Sequence, residues 1–420
     1  MKEAEVMPKA LAFKTLWSAH TITVVGTNTS LIVIPLPAIE VVNASVFQMS
    51  ILEATESLAV LFLGLFIGIL ADLLGGHKSI LVANTIRGIS LLSIPIGYFY
   101  FSLTFIQVFI VVFLIGLGTL LYESAISKLI VTEIPENQWT RVNAYMEGSS
   151  SVTEVAGPGL GGLLVQFITA PLAVIFDSLC YFIGAIILIF RNKSIVVKST
   201  EAKVNPPENL RMEYGTFLVG VKHIFEQKVL KSITLSAAHF NIFTAMYYGV
   251  YTFFLVHTLD FTPLVVGLSS VAAGLGGILA TLTVERATKR FSTAVLFIAS
   301  LTIPGIVSLL VPFSGTINEI SIVFALVAFS QFAWSYSIVI NLVMSETIKQ
   351  TLTNSEMIGK VSSSIRWITL GFEPIGAIIG GILATWLGTS FVLYASSIGL
   401  ITSIVWLIPK NGIRSFDMRM

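Results

Sequence analysis

Apolar runs of about twenty residues, the length a helix needs to cross a bilayer, recur along this chain roughly a dozen times. A chain patterned this way has little choice of fold. In hydrocarbon every backbone amide must be paired within its own segment, which leaves helices. The runs predict spans at 13–39, 46–70, 79–101, 104–132, 142–167, 171–190, 229–257, 262–284, 291–312, 318–347, 360–386 and 389–409. Hydrophobic residues make up 55% of the sequence and charged residues 11%, with a mean hydropathy of +0.89, more apolar surface than a water-soluble domain can hide. A formal net charge of +1 gives no reason to expect a nucleic-acid partner. The single cysteine, Cys180, lies in an apolar run, reads as a small packed hydrophobe, and excludes an internal disulfide or a cysteine metal cluster.

The basic residues orient the spans. Lys2, Lys9 and Lys14 precede the first, Lys78 lies between the second and third, Arg141 follows the fourth, and a group from Arg191 to Lys231 surrounds the middle of the chain. Arg286, Lys289 and Arg290 follow the eighth span, Lys349 and Lys360 bracket the gap after the tenth, and Lys410, Arg414 and Arg419 follow the twelfth. The loops on the opposite side carry neither Lys nor Arg. Arg87, Lys128 and Arg366 fall inside spans and are read as lying near the same, basic ends. The positive-inside rule then places both termini in the cytoplasm and makes the number of crossings even. The opening MKEAEVMPKALAFKTLW, with no small-residue cleavage site after it, reads as the entry to an uncleaved first span.

The gap 191–228, with Pro206-Pro207 and a basic excess, reads as a linker between an N-terminal six-span half, 1–190, and a C-terminal half, 229–420. Within it Leu210, Phe217, Leu218, Val221, Ile224 and Phe225 recur at helical spacing, with Lys222 and Glu226 off that stripe. This predicts an amphipathic helix on the inner membrane surface. The halves also echo each other without a gap. RVNAYMEGSSSVTEVAGPGLGGLLV, from Arg141, returns as KVSSSIRWITLGFEPIGAIIGGILA, from Lys360, so that Glu154 meets Glu373, Gly157 meets Gly376, and Gly161-Gly162 meets Gly380-Gly381. Related halves, each placing a carboxylate beside a glycine-rich face near the midplane, point to a secondary transporter.

Between the second and third spans the sequence reads GILADLLGGHKSI. Here Gly68, Asp72, Gly75, Gly76, His77 and Lys78 occupy the places of a Gly-x-x-x-Asp-x-x-Gly-x-basic-basic pattern. This resembles the loop motif of the major facilitator superfamily. In the fifth span, Gly157-Pro158-Gly159-Leu160-Gly161-Gly162 is similar to the glycine-proline motif of that superfamily's antiporter branch. The segments LWSAHTITVVGT, RVNAYMEG, FDSLCYFIGA and GKVSSSIRWIT resemble its macrolide-efflux and siderophore-export group of drug:proton antiporters. The resemblance covers nearly the whole chain. It implies an all-α membrane protein of twelve helices in two pseudo-symmetric six-helix bundles, monomeric, with no cofactor, in a bacterial inner membrane. It also implies a gating latch in which Asp72 meets the start of the eleventh span and Arg366; the bland reading of Asp72 is a turn cap. Two departures thin this motif: Leu73 stands where a basic residue is usual, and GILATLTVERATKR, from Gly277, lacks the aspartate.

A carboxylate at midplane depth costs several kcal/mol unless it is paired, protonated or hydrated, so coupling is sought among Glu53, Glu56, Glu123, Glu154 and Glu373, with His239 as a further proton site. Glu147 and Asp177 also lie within spans, and a structural hydrogen bond is the favoured reading of Asp177. By resemblance the first, fourth, seventh and tenth spans wall the cavity. They supply Thr23 and Asn28; Tyr122 and Glu123; Asn241, Tyr247, Tyr248 and Tyr251; and Gln331, Trp334 and Asn341. Such a wall of rings with few polar tips suits a bulky amphipathic ligand. No metal set, phosphate loop or Ser-His-Asp constellation is present in the pattern, so an enzyme is not expected. The expected activity is export of lipophilic compounds in exchange for protons. Export of an endogenous metabolite such as a siderophore, nutrient uptake, and a sensor or scaffold on the same fold remain open alternatives.

Overall fold

The computed structural model describes residues 3–135, 138–194, 210–354, 357–408 and 413. The side chains of some helical residues, Glu56, Asp72, Arg141 and Glu147 among them, lie outside the described set, as does the site of Gly68. Every element among the described residues is helical. In order these are α1 (Glu3–Val33) and short α2 (Pro35–Glu40), α3 (Val46–Leu74), α4 (Gly76–Tyr100), α5 (Phe105–Glu133), α6 (Trp139–Ile168) and α7 (Ala170–Ser194). There follow α8 (Leu210–Glu226), α9 (Lys228–His257), α10 (Pro263–Arg290), α11 (Thr293–Ser308) with α12 (Leu310–Ser314), and α13 (Ile320–Leu352). Last come α14 (Ile358–Leu370), α15 (Glu373–Leu387), and α16 (Thr389–Thr402), which tightens into a 3-10 turn at Ser403–Leu407.

Taking α1 with α2, α11 with α12, and α14 with α15, the described helices coincide with the twelve expected spans, and α8 falls within 191–228, the segment read as a linker. Ten of the described helices are long and apolar enough to cross a membrane on composition alone. The two that fall short are α6 and α9. They carry Ser149, Ser150, Ser151 and Thr153, and Ser232, Ser236, His239 and Asn241 respectively, so they need polar partners from neighbouring helices.

Local chemistry sets the boundaries. Thr104 accepts from the Gln107 backbone at the start of α5, and Thr262 accepts from Val265 at the start of α10, with Pro263 just inside. Gly75, at φ 77°, turns α3 into α4 as the loop motif predicts. The turns closing α6 and α15 share one backbone conformation. Thr169 has φ 89° and ψ 151°, and Gly388 has φ 86° and ψ 157°. These positions are equivalent in the internal repeat, so the echo extends past the last matched glycine.

Contacts group the chain into two compact units, residues 1–43 with 62–206, and residues 44–61 with 207–420. The first half of α3 is thus counted with the second unit, although it precedes the linker in sequence. The first unit is cored by residues such as Leu16, Ile80, Leu121, Leu129 and Met146, and the second by Ile233, Phe240, Phe297, Trp334 and Met344.

Candidate functional site

The internal repeat places a glycine face in each unit against that unit's own first long helix. In the first unit, a Cβ added at Gly157 would lie 2.7 Å from Asn28 Cβ and one at Gly161 would lie 2.9 Å from the Thr29 carbonyl, so α6 rides directly on the backbone of α1. Asn28 donates to Thr153 Oγ1 at 2.8 Å across this seam. Gly162 and Pro158 are buried beside it, and Pro158 sits inside a helix that continues through it. Glu154, one turn before Gly157, is exposed at the rim of the seam.

The second copy makes the same seam. A Cβ at Gly376 would collide with the Ile242 carbonyl, and one at Gly380 would lie 2.9 Å from Met246, so α15 rides on α9. Gly381 faces Ser50 of α3, whose hydroxyl donates to the Gly249 carbonyl at 3.0 Å. Here, however, the predicted span 360–386 is interrupted. α14 ends at Leu370, Gly371 and Phe372 form a turn, and α15 restarts at Glu373 with Pro374 in its first turn. Pro374 has no N–H to offer the carbonyl four residues back, which removes a rung of the ladder at this point. Asn241 of α9 donates its amide to the Thr369 carbonyl at 3.3 Å, replacing part of what the break loses. Glu373, half-buried, accepts a hydrogen bond from Ser57 of α3.

Beside this seam α9 and α13 build an aromatic cluster. Tyr247 stacks on Tyr251 and on Trp334 with centroids 5.5 Å apart in each case, and Tyr248 stands edge-on to all three. Tyr248 is half-buried while the other rings are buried, and the carboxylate of Glu53 acts electrostatically on it. Gln331 is buried alongside, and Asn341 donates to Ser300 Oγ at 3.0 Å. The amides of Asn28, Asn241 and Asn341 are therefore used within their own units.

The first unit holds a feature the sequence reading misplaced. Arg87 lies near the middle of α4, not at its basic end, and is 1% exposed. Its guanidinium sits 4.8 Å from the Tyr122 ring centroid and 4.3 Å from that of Tyr181, donates to Asn84, and feels the charge of exposed Glu123. Gly118 of α5 leaves room for the arginine stem, since a Cβ there would lie 2.6 Å from Arg87 Cγ. Tyr122 in turn lies 3.0 Å from His20 Nδ1, and Tyr181 lies 3.2 Å from Thr27 Oγ1. Asp177 is fully buried and accepts from Ser30 at 2.6 Å. The hydropathy window could not reveal this depth, because it does not say where α4 starts or which face Arg87 occupies.

Of the remaining expected residues, His239 receives Trp406 Nε1 on Nδ1 at 3.3 Å and places Nε2 3.1 Å from the Gly399 carbonyl, an arrangement that a neutral ring with its proton on Nε2 satisfies. In the loop motif, His77 pairs with Glu133 of α5, Gly76 is buried against Leu129, and Lys78 is exposed. Arg366, on α14, is exposed and has a partner of its own. The side chains of Glu56 and Asp72 lie outside the described residues, as does Gly68. Among the described residues no three His, Cys, Asp or Glu side chains gather as a metal set.

The family model for the Major Facilitator Superfamily matches residues 16–367. An uncharacterized MFS-type transporter, YfiS of Bacillus subtilis (strain 168), is 22% identical over 399 residues, covering 93% of this chain and 92% of that protein. YvqJ of the same organism, also an uncharacterized MFS-type transporter, is 23% identical over 282 residues, 66% of this chain and 63% of its own length. Among solved structures, a bacterial homologue of the iron transporter ferroportin in an inward-facing state superposes with a TM-score of 0.76 at 13% identity, over 95% of this chain and 98% of that one. A mutant of the nucleoside transporter NupG does so with a TM-score of 0.69 at 11% identity, over 94% and 99%. These structural likenesses establish the fold. The chain belongs to the Major Facilitator Superfamily. It is a multi-pass membrane transporter of a small-molecule substrate, and not an enzyme.

Proposed function

We propose that this transporter exports lipophilic cations in exchange for protons, by alternating access between halves 1–190 and 229–420 joined by the linker 191–228, and that Glu373 is the group that takes up and releases the proton. The observation that carries the reading is the interruption of helix between α14 and α15. Broken helices in the middle of a membrane are where transporters of many folds hold their coupling ions, because the break frees backbone groups and the half-helix start favours a negative charge. Glu373 stands at that start with Ser57 as its hydrogen-bond partner. The same hydroxyl can donate to the ionised carboxylate or accept from the protonated one, so both states can be satisfied without moving the backbone. Glu154, on an unbroken helix, lacks this setting.

The aromatic cluster supports the substrate class. Tyr248 offers a partly exposed ring on which the charge of Glu53 acts, and an aromatic ring in the field of a carboxylate attracts an organic cation more strongly than a neutral sugar or an anion. The absence of Lys and Arg from one set of loops supports an inner-membrane location with both termini cytoplasmic, and the presence of two six-helix halves in one chain supports action as a monomer. Proteoliposomes carrying an imposed pH gradient test the proposal. Addition of a lipophilic quaternary ammonium should drive proton release through the wild type, and Glu373→Gln should abolish it while leaving substrate binding measurable. Equal proton release by the wild type and Glu373→Gln would exclude Glu373 as the coupling group; no flux of any lipophilic cation would exclude the substrate class.

A further inference from the structure

The linker helix α8 has two dissimilar faces. Gly220 presses on α14, since a Cβ there would collide with the Lys360 carbonyl and Ser364 Oγ, and Ile224 is fully buried in the core of the second unit. On the opposite arc, two turns apart, stand Leu218 at 62% exposure and Phe225 at 46%, flanked by Lys222 at 77% and Glu226. Only Gln227 separates α8 from α9, whose bounds match the seventh expected span, so this arc adjoins the Lys-bearing end of that helix. Lys228 and Lys231 open α9 on the same side, both exposed, and Lys231 Nζ lies 5.6 Å from the Phe225 ring centroid.

We propose that the outer arc of α8 is a binding site for anionic phospholipid headgroups of the leaflet facing the Lys-bearing loops. Leu218 and Phe225 enter the acyl boundary, and Lys222, Lys228 and Lys231 take the phosphates. Two observations select this occupant. An apolar pair ringed by ammonium groups matches the headgroup–acyl boundary, where apolar burial and cationic attraction act together. Among the described residues of this surface, Lys222 of α8 with Lys228 and Lys231 of α9 outnumber the one acid, Glu226, which pairs with Lys222 at 3.8 Å and leaves an excess of positive charge. Because the inner face of α8 is keyed to α14, a headgroup held on the outer face bears on the helix that leads directly to the interruption before Glu373.

The test uses the full chain, with Cys180→Ala removing the native thiol and Leu218→Cys carrying an environment-sensitive fluorophore, reconstituted in vesicles of phosphatidylcholine alone or with one quarter phosphatidylglycerol. The expected result is brighter, blue-shifted emission in the anionic vesicles. That contrast should fall as salt rises and should weaken by about fivefold for each lysine removed in Lys222→Gln, Lys228→Gln and Lys231→Gln. Glycerol phosphate added to phosphatidylcholine vesicles should leave the emission unchanged, which separates a lipid headgroup from a free phosphate; an equal shift with the soluble phosphate would overturn the assignment to lipid. The proposal also fails if emission is the same in the two vesicle types, whether aqueous or apolar, or if the contrast survives the triple lysine variant. A second reporter at exposed Val219, as Val219→Cys, guards against a local effect of the label and must give the same ordering.

Discussion

The two copies of the repeated segment carry the same acid and the same glycine face, yet α6 runs unbroken through its proline whereas α14 and α15 are separate helices. The difference lies in where the proline falls. In α6, Pro158 comes four residues after the acid, within the seam against α1. In the second copy, Pro374 follows the acid directly and Gly371-Phe372 precede it, so the lost rung and a turn coincide at one level. Duplication thus supplied two equivalent scaffolds, and a displaced proline made one of them a place where an acid meets freed backbone. The backbone after each copy shows the opposite asymmetry: the turn that Gly388 makes without strain is made by Thr169, a β-branched residue in a region of φ and ψ that glycine alone enters readily.

Substitutions that treat the copies alike should expose this inequality. The largest effect is expected at the seams. Gly376→Ala drives a methyl group into the Ile242 carbonyl and should destabilise the second unit by about 3 kcal/mol, whereas Gly157→Ala, which meets Asn28 less closely, should cost nearer to about 1–2 kcal/mol. Thermal unfolding of the detergent-solubilised protein would show the ordering, and an equal loss at both sites would contradict it. Next come the acids. Glu373→Gln should abolish proton-driven accumulation, and Glu154→Gln should reduce it by only a few-fold, under about 1 kcal/mol; matching losses would return the two copies to equal standing.

A smaller effect should have the opposite sign. Thr169→Gly relieves strain at the first turn and should stabilise the protein by about 1 kcal/mol, while Gly388→Thr should destabilise it by a similar amount, both read as shifts in melting temperature. If Thr169→Gly lowered stability, the strain argument would be wrong. The smallest change is expected from Asn241→Leu, which leaves the Thr369 carbonyl without its side-chain donor at a cost of about 1 kcal/mol or less. Faster hydrogen exchange confined to residues around 369–373 would mark it as a local loosening, and a uniform change across α9 would not.

Much of this architecture is written in the residues. Twelve apolar runs, a one-sided distribution of lysines and arginines, and an amphipathic stripe in the linker suffice for the helices and the position of α8, because each rests on a pattern that membrane physics imposes directly. The glycine faces were also legible, since Gly157 and Gly161, and Gly376 and Gly380 in the second copy, share one face at i, i+4 spacing, with Glu154 exposed at the rim of the first. Three features escaped. The interruption at Gly371 was signalled by Pro374 but hidden by an apolar run that continues through it. The use of Asn241 on a backbone carbonyl depends on a neighbour 128 residues away. Arg87 looked like an end-of-helix residue because the start of α4 was placed three residues late and its buried face has no signature in a hydropathy window.

That arginine has an electrical consequence. Arg87 is a charge fixed deep within α4, enclosed by Tyr122 and Tyr181 and shielded from mobile ions. A full unit charge carried across 100 mV changes the free energy by about 2.3 kcal/mol, so any step that shifts α4 along the bilayer normal by a tenth of the field is biased by roughly 0.2 kcal/mol per 100 mV. Such a bias would be separate from whatever charge the substrate and proton bring, and a resting membrane potential would act through Arg87 on any such step even with nothing bound.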